Sequence, residues 1–313
     1  MSTLVTHSGF GNRFSLAMRD IKLAHSVFAL PFAVLAAFLV APYHGDAPEH
    51  GINWGAFGGM LVLVVVCMVF ARTWAMVVNR VADADLDADN PRTKGRAFAS
   101  GVLARRDGWL LLGLSGLGFV VCAGGFGVFF GNWLPAILSV PMLGWIGFYS
   151  FTKRFTWLCH VFLGSALAAS PIAAAIAVGP GDLRFEPGVF ALAGMVLFWV
   201  AGFDVIYALQ DMEHDREVGL SSVPARFGWR GAIWISRVFH VLAVAGLACA
   251  LLLTERFGWV FGVAVVATGA LLVYEHWVLS KRGKAGIPMA FFTLNGVVAV
   301  VIGVLGVVDV LGG

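Results

Sequence analysis

The sequence predicts an all-α, polytopic membrane bundle of about nine transmembrane helices, built as two related four-helix halves plus one. Three observations carry this. The 313 residues are 59% hydrophobic and only 12% charged, about half the charged share of a soluble domain. The apolar residues fall in long runs, each near the roughly 20 residues that a helix needs to cross the hydrocarbon core. Lys and Arg gather at alternate ends of those runs, the pattern that orients membrane proteins.

In chain order, the candidate spans lie near 22–42, 55–79, 103–124, 133–151, 157–178, 188–210, 231–253, 257–279 and 288–310. The connections around Gly124–Trp133 and Thr254–Gly258 are very short and predict tight helical hairpins. Residues 1–21 are too polar for a signal-peptide core, and the run after them is longer than a typical one and lacks a clear cleavage site, so it is read as retained. No polar linker divides the chain. Residues 1–313 are therefore expected to be a single transmembrane domain, with a cytoplasmic N-terminal segment at 1–21 and cytoplasmic cap loops at 80–102 and 211–230. Cys67, Cys122, Cys159 and Cys249 stand far apart in apolar runs. That spacing suits buried thiols, not a disulfide or a zinc site.

With the N-terminus inside, 18 of the 21 Lys and Arg fall on inner segments. Arg184 and Arg256 alone fall outside, and Arg72 lies within a span. The expectation is an integral protein of an inner or plasma membrane, with the N-terminus cytoplasmic and the C-terminus outside.

The chemistry concentrates in two stretches that this orientation puts on one side. Asn79–Gly101 reads NRVADADLDADNPRTKGRAFASG and places Asp83, Asp85, Asp87 and Asp89 in seven residues. Tyr207–Gly228 reads YALQDMEHDREVGLSSVPARFG. Asn79, Asp83 and Asp87 find counterparts 128 residues later at Tyr207, Asp211 and Asp215, which suggests duplication. On a helix, positions i, i+4 and i+8 share a face. Arg72, two turns before Asn79, joins the first face, and Asp204 precedes Tyr207 by one turn. Asp85 and Asp89 point away and read as solvated carboxylates.

Facing carboxylates at membrane depth cost on the order of 2.5–3.5 kcal/mol each and need counter-charge. Mg²⁺ is typically held by one or two carboxylates plus substrate phosphates. Paired DxxxD segments flanked by bases thus point to a Mg²⁺–diphosphate site, with Lys94, Arg96, Lys153, Arg154 and Arg216 available for the remaining phosphate oxygens. His25, His160, His240 and His276 are isolated and read as packing histidines. No hydrolase constellation, P-loop or GxGxxG motif is present. A transporter using intramembrane carboxylates is the competing class, and it expects acids and broken helices near span centres.

NRVADADLDADNPRT resembles the NxxxDxxxD motif of the UbiA family of intramembrane aromatic prenyltransferases, and YALQDMEHDREVG resembles their YxxxDxxxD motif. YSFTKRFTWLCH at 149–160 resembles the family's tyrosine-plus-lysine-arginine segment. The wording of KLAHSVFALPF, ARTWAMVVNR and the second motif is most similar to the 4-hydroxybenzoate polyprenyltransferase subgroup, which includes futalosine-route menaquinone proteins. Position 80 is Arg where many members carry Asp or another residue; Asn79, Asp83 and Asp87 remain. The resemblance implies a central cavity open to lipid, with a polyprenyl diphosphate, an aromatic acceptor and the lipid bilayer as partners and no nucleic acid. It implies that Asp83, Asp87, Asp211 and Asp215 hold Mg²⁺, that Asn79 assists, and that Lys153 and Arg154 with Lys94 or Arg96 stabilise the diphosphate. Tyr149 and Tyr207 would lie near the reacting carbon, and Arg72 and Asp204 in the substrate pocket. Haem or chlorophyll precursors are the alternative acceptors.

Overall fold

A computed structural model describes residues 28–42, 51–182 and 186–312. The N-terminal bases Arg13, Arg19 and Lys22, together with His25 and Arg184, lie outside them. Among the described residues, eight helices are long and apolar enough to cross a membrane. In order they are α2 (Trp54–Ala82), α4 (Arg105–Phe130), α5 (Leu134–Thr152), α6 (Cys159–Val178), α7 (Pro187–Ala208), α9 (Val223–Leu253), α10 (Trp259–Arg282, continued by a 3₁₀ turn to Gly286) and α11 (Asn295–Gly312, preceded by a π-turn, Met289–Leu294). A shorter apolar helix, α1 (Leu30–Leu39), falls within the first predicted span. Two six-residue helices, α3 (Ala84–Asp89) and α8 (Met212–Glu217), carry the acidic motifs.

The helices exist where a lipid-facing backbone must satisfy its own hydrogen bonds. Two of the departures from the hydropathy bounds have a clear local cause. α4 continues to Phe130, because Gly124, Gly125 and Gly127 do not end a helix in a bundle where small residues admit close neighbours. α9 starts at Val223, with a kink at Gly228, whose φ of 70° suits only glycine. Both predicted hairpins are present: α4 ends on Gly131 with a left-handed φ of 74°, and α9 and α10 join through Thr254–Gly258.

α7 is the central helix, with Trp199, Met195 and Ile206 fully buried. It packs most extensively on α9 and α6, while α2 packs most on α4. Backbones touch at Gly164, where a Cβ would meet the Leu197 carbonyl oxygen at 2.3 Å. At the end of the bundle away from the motifs, Arg256 donates to the Phe38 and Leu39 carbonyls. There Asp309 caps α10 through the Gly258 and Phe261 amides.

Candidate active site

Both acidic motifs sit at helix breaks. α2 stops at Ala82, Asp83 takes φ −98° and ψ 6°, and α3 restarts at Ala84. In the second motif α7 ends at Ala208, Asp211 takes φ −103° and ψ 5°, and α8 begins at Met212. The uninterrupted helical faces that the spacing suggested are therefore interrupted. The four-residue register survives in three backbone bonds: Asp83 N to Asn79 O at 2.9 Å, Asp87 N to Asp83 O at 2.7 Å and Asp215 N to Asp211 O at 2.8 Å. The break frees carbonyls at the end of α2, and Arg154 Nη2 donates to one of them, Ala82 O, at 2.7 Å.

The four acids face one polar cavity of about 260 Å³. Asp83 is 2% exposed. It accepts Lys153 Nζ at 2.8 Å, Arg154 Nη2 at 2.9 Å and Asn79 Nδ2 at 3.1 Å. Asp87 accepts Arg96 Nη1 on both oxygens, at 2.8 and 2.7 Å. Asp211 accepts a fork from Arg92, Nε at 2.7 Å and Nη2 at 2.5 Å, and also Asn90 Nδ2 at 3.0 Å. Burial alone would raise the Asp211 carboxyl, but the Arg92 fork and its charge outweigh that and hold it below the usual range. Among the described residues, the Asp215 side chain accepts from Ser222 Oγ alone, at 2.9 Å; burial, with the nearby Asp211 charge, pushes it up. Ser222 also caps α9 through the Ala225 amide. Ser221 N donates to Lys153 O at 2.7 Å, tying the second cap loop to the end of α5.

A second, apolar cavity of about 250 Å³ adjoins the first. Arg72, Tyr149, Leu163 and Leu167 line both. Along α6 its lining runs from Leu163 to Ala177, roughly 21 Å at 1.5 Å per residue. The arrangement is a charged head beside a greasy slot, joined at an arginine and a tyrosine.

The structure thus brings Asn79, Asp83, Asp87, Arg96, Lys153, Asp204, Tyr207, Asp211 and Asp215 to the polar cavity, with Arg72 and Tyr149 at the junction. Arg154 reaches it through Asp83. Lys94 is exposed and does not line either cavity. Arg216 is spent on the Ala225 and Pro224 carbonyls. Arg80 donates to Asn79 Oδ1 at 3.0 Å and so supports the motif. Asp85 is 85% exposed and accepts Arg105 Nη2 at 2.5 Å outside the cavity, and Asp89 is exposed.

Three partners escaped the sequence reading. Arg92 joins the halves: besides Asp211 it donates to the Tyr207 hydroxyl at 3.0 Å. Asn90 does so through Asp211. His160 Nδ1 lies 2.7 Å from Asp204 Oδ2, and its Nε2 accepts the Val223 amide at 3.2 Å. A lone pair is needed at Nε2, so the proton sits on Nδ1 and is donated to Asp204. No spacing rule links residues 44 or 119 positions apart.

Mg²⁺ fits this donor set. The four acids are hard oxygen donors lining one cavity, the donor type that Mg²⁺ takes together with water and phosphate. Among the described residues they do not converge as a group of three or more ligands; Asp83, Asp87 and Asp211 are each held by a cation instead. The acids lie at span ends, not centres, against the transporter expectation.

Residues 29–297 match the model of the UbiA prenyltransferase family. The chain is 31% identical over 255 residues to a 4-hydroxybenzoate octaprenyltransferase from Nitrosomonas eutropha, covering 79% of this chain and 85% of that protein. It is 30% identical over 228 residues to the protein of the same name from Alcanivorax borkumensis, covering 72% and 74%. Among solved structures, the apo UbiA homolog from Aeropyrum pernix K1 superposes with a TM-score of 0.78 at 28% identity, covering 92% of this chain and 98% of that one. A UbiA homolog from Archaeoglobus fulgidus bound to GPP and Mg²⁺ shares the fold, with a TM-score of 0.66 at 18% identity over 94% and 99%.

Proposed function

The chain belongs to the UbiA prenyltransferase family, and from that premise we propose Mg²⁺-dependent transfer of a polyprenyl group from its diphosphate to the ring of an aromatic hydroxy acid in quinone biosynthesis. 4-Hydroxybenzoate, the acceptor in the names of the curated relatives, is the acceptor class we favour, with a dihydroxynaphthoate as the second member. The observation that carries this is the meeting of two acid pairs, 128 residues apart in sequence, on one cavity that continues into an apolar slot.

Asp83, Asp87, Asp211 and Asp215 would hold the metal, with Asn79 supporting Asp83. Bound Mg²⁺ supplies electrostatic neutralisation of the departing diphosphate. Lys153, Arg154, Arg96 and Arg92 already stand within hydrogen-bond reach of these carboxylates. Their donors can turn from carboxylate to phosphate oxygen at little cost, and Arg presents its fork to either. The isoprenoid tail lies in the slot along α6. The allylic C–O bond breaks with its electron pair leaving on diphosphate. An electron-rich ring carbon attacks the cation, and the ring then loses its proton. Arg72, at the junction of the cavities, meets the acceptor carboxylate, and Tyr149 and Tyr207 border the reacting carbon.

Membranes carrying the protein, given geranyl diphosphate, Mg²⁺ and a panel of phenolic acids, are expected to yield a ring-prenylated acid by mass spectrometry and none in excess EDTA. Undiminished product in EDTA would overturn the reading.

The protein is integral to a membrane. The Lys and Arg asymmetry supports placing the acid loops in the cytoplasm and the C-terminus outside, in an inner or plasma membrane. A cysteine at exposed Lys94 should then react with a membrane-impermeant maleimide only in broken cells, and one at exposed Glu255 in intact cells. The reverse pattern would invert the topology.

A further inference from the structure

The last membrane span is interrupted near its start by a π-turn. Pro288 precedes the π-turn Met289–Leu294, and α11 runs regularly only from Asn295. Such wide turns are rare and occur frequently at functional sites. This one delivers Phe291 to the polar cavity. The Phe291 ring lies 4.2 Å from that of Tyr207, and 5.4 and 5.8 Å from those of Phe203 and Phe28. Tyr207 is the residue that accepts from Arg92, so Phe291 backs the point where the two halves join.

Asn295 holds the turn. Its Nδ2 donates to Ala290 O within the turn at 2.8 Å and to Glu275 Oε2 of α10 at 3.3 Å. Its Oδ1 accepts Trp199 Nε1 of α7 at 2.5 Å. Asn295, Glu275 and Trp199 are all 0% exposed. Both amide donors and the acceptor are therefore used, and one side chain ties α7, α10 and the turn. A buried carboxyl and carboxamide are costly at membrane depth, where aliphatic residues would pack without that cost. None of the three lines either cavity. The Ala290 carbonyl that Asn295 holds belongs to the residue just before Phe291.

We propose that Asn295, held by Glu275 and Trp199, is a positioning residue for the prenyl transfer: it fixes the π-turn so that Phe291 closes the cavity to water beside the reacting carbon. The inference rests on the transfer reading above. Once the C–O bond breaks, the allylic cation has two fates. Attack by the ring carbon with loss of the ring proton gives the prenylated acid. Attack by water with loss of a water proton gives the prenyl alcohol. Diphosphate leaves in both, so the ratio of alcohol to prenylated acid reports the seal.

The full chain in nanodiscs, with geranyl diphosphate, Mg²⁺ and 4-hydroxybenzoate, is assayed for both products. Phe291→Ala and Asn295→Ala are expected to raise the alcohol-to-acid ratio roughly tenfold, the effect of about 1.4 kcal/mol of lost discrimination. Trp199→Phe and Glu275→Leu shift it in the same direction. Glu275→Gln, which keeps an acceptor for Asn295, retains the wild-type ratio. Should Asn295→Ala misfold, Phe291→Ala and Trp199→Phe still decide. Parallel loss of both products at an unchanged ratio would mean a merely structural role and overturn the proposal. A wild-type protein that makes neither product with any phenolic acid would instead overturn the transfer reading itself.

Discussion

Replacing Asp83 or Asp211 by alanine is expected to lower prenyl transfer ~10²–10³-fold or more, the range seen when one preorganised electrostatic contact to a developing charge is removed. Each change deletes a carboxylate that the proposed metal needs. Each also releases cations, Lys153 and Arg154 at Asp83 and Arg92 at Asp211. The asparagine variants separate these effects, because an amide keeps the shape and an acceptor oxygen but loses the charge. Asp83→Asn should insert and elute like wild type while needing more Mg²⁺ for half-maximal transfer. Asp85→Ala, at a side chain 85% exposed and outside the cavity, should stay within about twofold, as surface changes do. The measurement is product formation against Mg²⁺ concentration in detergent-purified protein. Asp83→Ala retaining a tenth or more of the activity would remove the acid from the metal site.

What the sequence disclosed and what it hid divide along physical lines. Span positions were legible because the bilayer imposes a length and an apolar composition, and the charge asymmetry put both acid motifs at one end. The 128-residue repeat named the four acids that share the cavity. The helix breaks at Asp83 and Asp211 were not legible, since the i, i+4, i+8 pattern persists whether or not α-helical geometry does. Lys94 and Arg92 lie two positions apart in an irregular loop, where no period tells which side chain turns inward. The structure turns Arg92 inward, onto Asp211 119 residues away, and leaves Lys94 in solvent. His160 read as an isolated packing histidine because Asp204 is 44 residues distant. Phe291 is one of 26 phenylalanines, and only the π-turn distinguishes it.

Arg72 carries the other large effect. It sits within α2, lines both cavities, and its Nε is buried with no hydrogen-bond partner among the described residues. A guanidinium in that position is costly unless an anion meets it. The acid motifs do not reach it: the ion pairs of Asp83, Asp87 and Asp211 go to Lys153, Arg154, Arg96 and Arg92. A substrate carboxylate at the junction of the two cavities would supply the anion and point the ring at the end of the prenyl tail. Arg72→Ala should therefore lower kcat/KM for 4-hydroxybenzoate by ~10–10²-fold, matching the about 1.5–3 kcal/mol of a hydrogen bond to a charged group. The loss should appear mainly in the KM of the acid and leave the KM of the prenyl diphosphate near wild type. The decisive comparison is with an uncharged analogue such as 4-hydroxyacetophenone, whose turnover should change little. Arg72→Lys should recover only part of the loss, because an ammonium keeps the charge but not the planar fork. Equal losses for the acid and the ketone would show that Arg72 supports the fold of α2 instead of the carboxylate. The competing acceptors would then regain equal standing, because Arg72, at the junction of the two cavities, is the group that would meet the acceptor carboxylate.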